Sequence, residues 1–194
     1  KIPPVPAYTY ELKIKLPNGT EHPLKVVIPP GPDGKPDQKM LDRILASIAQ
    51  MPIEKVESAQ TIRINPAENF QDPYWRNQPG YSKDHESAAT GGNGIIDFYP
   101  CSSDPTRYGS TSGRTAAEVD TAILDFFIET TLHEQGHNVN AKVYQETVKK
   151  LKEVTPSEEW IAAMVMDEKY KSHYATSNPG EDFAETVAMY VLQP

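Results

Sequence analysis

The segment TLHEQGH, residues 131–137, carries side chains whose types and spacing could do chemistry. His133 and His137 are one helical turn apart, so on a helix both imidazoles project from the same face and can bind one metal ion. Glu134 points about 100° around the helix, where it can contact a water beside that ion. This H-E-x-x-H pattern predicts a zinc site in which the glutamate acts as general base.

A catalytic zinc site needs a third protein ligand, which this segment does not contain. Residues 138–142, NVNAK, lack the glycine and histidine of the extended metzincin pattern, so that class is excluded. Glu158 and Glu159 lie in the first turn of a predicted helix, where acidic residues serve capping and the helix dipole. Glu181 and Glu185 are better candidates, because they flank the apolar positions of another predicted helix and a buried carboxylate needs a partner. A solvated acidic first turn is the alternative interpretation of this last pair.

The two segments together resemble a known family. H-E-x-x-H, followed about forty residues later by tyrosine, six further residues and E-x-F-A-E, is similar to the anthrax lethal factor-like metalloproteases and the related clostridial Pro-Pro endopeptidases. The matching positions are His133, Glu134, His137, Tyr174, Glu181, Phe183, Ala184 and Glu185. The resemblance covers residues 120–192 at most.

This resemblance implies a role for several of these residues. It implies that Glu181 is the third zinc ligand, and that Tyr174 faces the metal and assists catalysis. Glu185 would lie outside the coordination sphere and orient a ligand histidine, as carboxylates next to metal ligands often do. The implied fold is a zincin, and the implied protein is an endopeptidase that hydrolyses peptide bonds through a zinc-activated water with Glu134 as general base.

Strands and one helix are predicted for the first part of the chain. The segments with strand or helix spacing are a β-hairpin at 10–28, a helix at 37–51, a strand at 56–65 and a strand at 94–100. Residues 65–94 and 101–115 lack periodicity and are predicted to be long loops. The strand at 94–100 could be an interior strand; by analogy with zincins it could instead be the edge strand that borders the cleft and pairs with an extended peptide substrate.

From residue 116 onwards the pattern is helical. The predicted helices occupy 116–154, as one helix or two abutting ones, then 155–170 and 177–192. We therefore expect an α+β protein in which residues 1–7 are a proline-rich lead-in and 8–194 form one zincin-type domain. Its sheet-rich part would be 8–115 and its helical part 116–194, with one Zn²⁺ in the cleft between them.

Composition excludes some partners. Lys and Arg number 19 against 27 Asp and Glu, giving a net charge of −8, which argues against binding to nucleic acid or to an anionic membrane surface. With one cysteine the chain forms no internal disulfide, and no apolar run approaches the length of a membrane span. The chain begins with lysine, so we expect a trimmed domain of a larger protein, and the resemblance suggests a secreted or host-delivered bacterial one.

Two other functions remain open at this point. The domain could bind a metal without catalysis and serve recognition within a larger toxin or surface protein. It could also be a structural domain with no zinc. The intact Glu134 weighs against the first alternative, because a degenerate enzyme has no use for its general base.

Overall fold

The computed structural model describes residues 7–53, 55–79, 81–108, 113–151 and 178–192. Within these ranges the strands and helices are β1 Tyr8–Lys15, β2 Glu21–Ile28, α1 Gln38–Gln50, β3 Thr61–Ile64, α2 Asp72–Trp75, β4 Ala89–Gly92, β5 Ile95–Phe98, α3 Ala116–Leu151 and α4 Pro179–Leu192. The strands precede the long helices along the chain. The expected mixed α+β class is therefore confirmed.

The five strands form one mixed sheet in the order β1-β2-β3-β5-β4. The predicted hairpin is confirmed: β1 and β2 are antiparallel, and Gly19 takes the positive φ of 83° that their turn requires. β2, β3 and β5 run parallel, and β4 pairs with β5 in the antiparallel sense. One sheet edge is thus β1 and the other is β4.

The structure decides which strand borders the cleft. The segment 94–100 contains β5, which lies inside the sheet between β3 and β4, so the interior-strand interpretation is confirmed and the edge-strand interpretation is wrong. The edge is β4, within the stretch predicted to be a loop. Asn93 and Gly94 have φ values of 52° and 79°, and this two-residue turn folds β4 back onto β5. The sequence ATGG of β4 is too short and glycine-rich to show a strand pattern.

Helix α3 packs along one face of the sheet. The side chains shared between them form a core of buried aliphatic and aromatic residues, in which Phe98 of β5 stacks on Phe127 of α3 with 4.6 Å between ring centroids. Leu132, one turn further along, is fully buried in the same core. Because this apolar face is continuous, the residues that follow it on α3 lie beneath the β4–β5 hairpin. The packing of α3 against the sheet therefore fixes the position and orientation of the two histidines relative to the β4–β5 hairpin.

The predicted loop at 65–88 has an internal structure of its own. Asp72 of α2 is fully buried, and its carboxylate accepts hydrogen bonds from the backbone N–H and the hydroxyl of Ser87, the latter at 2.6 Å. Arg76 donates to the backbone oxygen of His85 at 2.7 Å and to Glu68 at 2.7 Å. These bonds join the two ends of the loop, so it forms a defined wall beside β4.

The last described helix begins where the sequence predicts. The Asn178 side chain accepts hydrogen bonds from the backbone N–H groups of Gly180 and Glu181, at 2.9 and 3.1 Å, and so caps α4. Pro179 occupies the first helical position, where its missing N–H costs nothing. In the described part of the chain no helix has the length and apolar character that a membrane crossing needs.

Candidate functional site

Helix α3 brings the two histidines together on its exposed flank. The Nε2 atoms of His133 and His137 are 3.1 Å apart, and their rings meet edge to face with 4.8 Å between centroids. Each side chain keeps part of its surface accessible, 14% for His133 and 22% for His137. The pair can therefore bind one ion while remaining in contact with the solvent-filled cleft.

A close helix–helix contact brings Glu181 to this pair. A Cβ atom at Gly136 would lie 2.7 Å from the Cα of Ala184, so the two helices meet at a distance that only glycine permits. Ala184 is fully buried in this contact, three residues after Glu181 on α4. The glycine of HEQGH and the alanine of EDFAE thus set the spacing between the segments that carry the three candidate ligands.

The three donor atoms form a nearly equilateral triangle. Glu181 Oε2 lies 3.1 Å from His133 Nε2 and 3.3 Å from His137 Nε2. Ligands about 2.0–2.1 Å from a tetrahedral zinc ion are separated from one another by about 3.3 Å, so the triangle has the dimensions of one face of such a site. One atom each of His133, His137 and Glu134 also lies within 4.8 Å of the others. We favour the set with Glu181, because its shorter separations fit one coordination sphere.

The environment of Glu181 stabilises a charged carboxylate. Its Oε2 atom is buried and lies close to both imidazoles. Burial opposes ionisation, but the neighbouring imidazoles outweigh it and lower the pKa of this carboxyl group to about 2. A metal ion bound by the same three atoms could stabilise the carboxylate in place of the protonated imidazoles.

Glu185 lies on the other side of the first histidine. Its Oε1 atom is 4.0 Å from His133 Nδ1, the ring nitrogen that faces away from the donor triangle. Burial alone would lower the pKa of His133, but its contact with Glu181 and the charges of Glu134 and Glu185 raise it. At this distance Glu185 interacts with the ring electrostatically and without a hydrogen bond, so it favours the charged form of His133 but does not select its tautomer.

Glu134 occupies the boundary between α3 and the edge strand. Only 7% of its surface is exposed. Burial raises the pKa of its carboxyl group, while the two imidazoles act in the opposite direction. A carboxyl group whose pKa is raised, next to a metal-binding set but outside its tight triangle, is suited to exchange protons with a bound water.

The donor triangle opens into a cleft of about 790 Å³. Its sides are β4 and the wall formed by the 65–88 loop, and α3 and α4 provide its floor. Three rings of the loop follow one another along this wall: Trp75 contacts Tyr81 at 5.2 Å between centroids, and Tyr81 contacts His85 at 4.9 Å. The cleft thus combines a polar centre, an extended strand edge and an aromatic side.

Two positioning residues escaped the sequence analysis. Asn138 is buried, and its amide accepts a hydrogen bond from Gly94 N–H at 2.7 Å and donates one to the Ile95 oxygen at 3.2 Å. It therefore ties α3 to the β4–β5 turn directly behind the metal-binding face. Gly136 had no assigned role, although a glycine inside a strong helical pattern is itself a signal of close packing.

The structure brings His133, Glu134, His137, Glu181 and Glu185 into one site, as the sequence predicts. Tyr174 and the two acidic residues set aside as helix caps, Glu158 and Glu159, lie outside the described residues. Comparisons with protein-family models, with curated proteins and with solved structures gave no match. A functional assignment therefore depends on the chemistry of the site itself.

Proposed function

We propose that this protein is a zinc-dependent endopeptidase with a zincin-like arrangement of its site. The observation that carries the proposal is the buried Oε2 of Glu181, which lies 3.1 and 3.3 Å from the Nε2 atoms of His133 and His137. Two imidazoles and one carboxylate are the ligand set of a catalytic zinc site that keeps a fourth position open. A zinc ion bound there would lower the pKa of its water and polarise the scissile carbonyl group.

Glu134 is the residue that moves protons in this proposal. It takes a proton from the attacking water, and it later gives that proton to the nitrogen of the leaving amine. Both transfers need a carboxyl group whose pKa is raised towards the working pH, and burial between α3 and β4 supplies this condition. Burial of this side chain also limits its rotation, so it stays next to the reacting atoms.

The substrate would be a peptide bound in an extended conformation along β4. In its antiparallel pairing with β5, β4 leaves the backbone groups of every second residue directed away from the sheet. No described strand pairs with this edge of β4. Such an edge can accept a peptide as an additional strand, and side chains of that peptide would then contact the aromatic wall of the loop.

Tyr174 keeps the role that the family resemblance gives it, a hydroxyl group that assists the developing oxyanion. We expect Tyr174→Phe to reduce turnover while zinc content stays at the wild-type level. The measurements are peptide cleavage and metal analysis of the same preparation. Unchanged turnover would remove this residue from the reaction.

The test of the proposal combines metal analysis with cleavage of a peptide library. The purified protein should contain one zinc ion per chain and cleave a subset of peptides, and Glu134→Gln should retain the zinc and lose activity by about 10²–10⁴-fold. Glu181→Ala should lower the zinc content after dialysis.

Three results would overturn parts of this proposal. Equal activity of Glu134→Gln and wild type would exclude Glu134 as the base. Full zinc retention in Glu181→Ala would move the third ligand to another carboxylate, such as Glu158, Glu159 or Glu185. A protein that binds zinc tightly but cleaves no peptide would be a non-catalytic metal-binding domain.

A further inference from the structure

The backbone of β4 alternates between two environments. The N–H group of Tyr99 bonds to the oxygen of Ala88, so residues 88, 90 and 92 direct their polar backbone groups to β5. Ala89 and Gly91, between them, direct theirs outward. Gly91 is therefore the residue next to Glu134 whose N–H faces away from the sheet.

Gly91 lies in direct contact with the residue that follows the first histidine. A Cβ atom at Gly91 would be 2.5 Å from the backbone oxygen of Glu134, 2.8 Å from its Oε2 and 2.9 Å from its Cβ. At the adjacent Gly92, a Cβ atom would meet nothing within 4 Å. The backbone of β4 thus packs directly against Glu134 at Gly91, whereas a side chain at Gly92 would have free space around it.

The contact includes the carboxyl group itself. The Oε2 atom of Glu134 is 2.8 Å from the position of a Cβ atom at Gly91, so the carboxylate packs directly against the strand backbone. On its other side lie the imidazoles of His133 and His137. A side chain at position 91 would require the strand and the carboxylate to separate by about 0.5–1 Å to reach ordinary contact distances, and a misplacement of this size can reduce turnover about 100-fold.

We propose that Gly91 is a positioning residue for the general base: its missing side chain lets the edge strand hold the Glu134 carboxylate against the metal-binding histidines. This inference rests on the proposed function, because it assigns Glu134 a part in catalysis. It adds a requirement that the H-E-x-x-H pattern does not contain. The requirement lies in the strand more than forty positions earlier in the chain.

The matched pair Gly91→Ala and Gly92→Ala tests it. Both variants add one methyl group and remove the same backbone freedom from the unfolded chain. With zinc bound, we expect Gly91→Ala to lower kcat about 100-fold with KM changed less than about threefold, because the base and not the metal is displaced. Because Gly92 belongs to the same substrate-binding strand, Gly92→Ala is compared only through the position of Glu134. The activity control is Gly31→Ala, which lies outside the cleft and has its nearest neighbour, the Lys35 oxygen, at 3.4 Å, and which should stay within about twofold of wild type in both constants. Wild-type kcat in Gly91→Ala would overturn the proposal.

Two readouts do not depend on activity. Crystal structures of the zinc-bound variants should show the Glu134 carboxylate displaced relative to His133 in Gly91→Ala and in place in Gly92→Ala. In the otherwise native chain, Glu134→Gln should shift the amide NMR resonance of Gly91 and leave that of Gly92 unchanged, even if Gly91→Ala does not fold. An unmoved carboxylate or an unaffected Gly91 amide would refute the positioning role. If no peptide is cleaved by the wild type, the proposed function fails, and these two readouts still decide the contact.

Discussion

Substitution of Gly136 by alanine should weaken zinc binding much more than it destabilises the metal-free protein. In an ordinary helix interior this change is favourable by about 1 kcal/mol. Here the new Cβ atom would lie 2.7 Å from Ala184 Cα and 3.2 Å from its Cβ and its backbone oxygen, whereas ordinary contacts begin near 3.4 Å. Helix α4 must therefore retreat by roughly 0.7 Å, and Glu181 moves with it because it lies on the same helix.

The expected magnitude follows from the tolerance of metal coordination. Metal–ligand distances vary by only about 0.2 Å between good sites, so a retreat several times larger removes much of the bond between the ion and Glu181. We expect the dissociation constant for zinc to rise about 100-fold, which corresponds to about 2.7 kcal/mol of lost stabilisation when zinc is in large excess. The metal-free protein should lose far less stability than this.

Zinc affinity is measured by competition with a chromophoric chelator, and stability by thermal unfolding with and without zinc. Thr121→Ala is the matched control, since it also introduces alanine into α3, on an exposed part of the helix. It should bind zinc like the wild type. Wild-type zinc affinity in Gly136→Ala would show that the contact with Ala184 does not set the ligand spacing, and would refute this reasoning.

Three further predictions concern the surroundings of the site. Asn138→Ala should lower the free energy of unfolding by about 1–3 kcal/mol in urea titrations, because the partly buried N–H of Gly94 loses its acceptor. Gln135→Met should raise the free energy of unfolding by about 1 kcal/mol. Both polar atoms of this fully buried amide have no hydrogen-bond partner among the described residues. Zinc affinity should fall on acidification from pH 8 to pH 5. The raised pKa of His133 makes protons compete earlier than at an ordinary histidine, whereas Glu181, with its pKa of about 2, remains ionised throughout. A pH-independent affinity would contradict the last prediction.

Much of the secondary structure and the pairing of His133 with His137 could be predicted because their signals are local. Alternation in β1 and β2 and the turn at Gly19 specify the hairpin, and the cap at Asn178 specifies the start of α4. His133 and His137 are neighbours on any helix, whatever the rest of the chain does. These features depend on residues within one or two turns of each other.

The edge strand and the loop wall could not be predicted in the same way. Strand β4 has four residues, two of them glycine, and it becomes a strand because the Asn93-Gly94 turn places it against β5. The burial of Asp72 also depends on Ser87, a partner distant in sequence. Such elements are stabilised by partners that the local pattern does not show.

The sequence by itself determined that two imidazoles share one helix face with a glutamate about 100° around from them, and it narrowed the candidates for a third ligand to a few carboxylates. Only the tertiary structure decided which carboxylate meets the histidines, because Gly136 and Ala184 allow α3 and α4 to approach closely enough for Glu181 to come within 3.1–3.3 Å of both rings. The tertiary structure also placed Gly91 against Glu134. Both results depend on distances between backbones that are far apart in sequence, and close approach requires small residues at two positions at once.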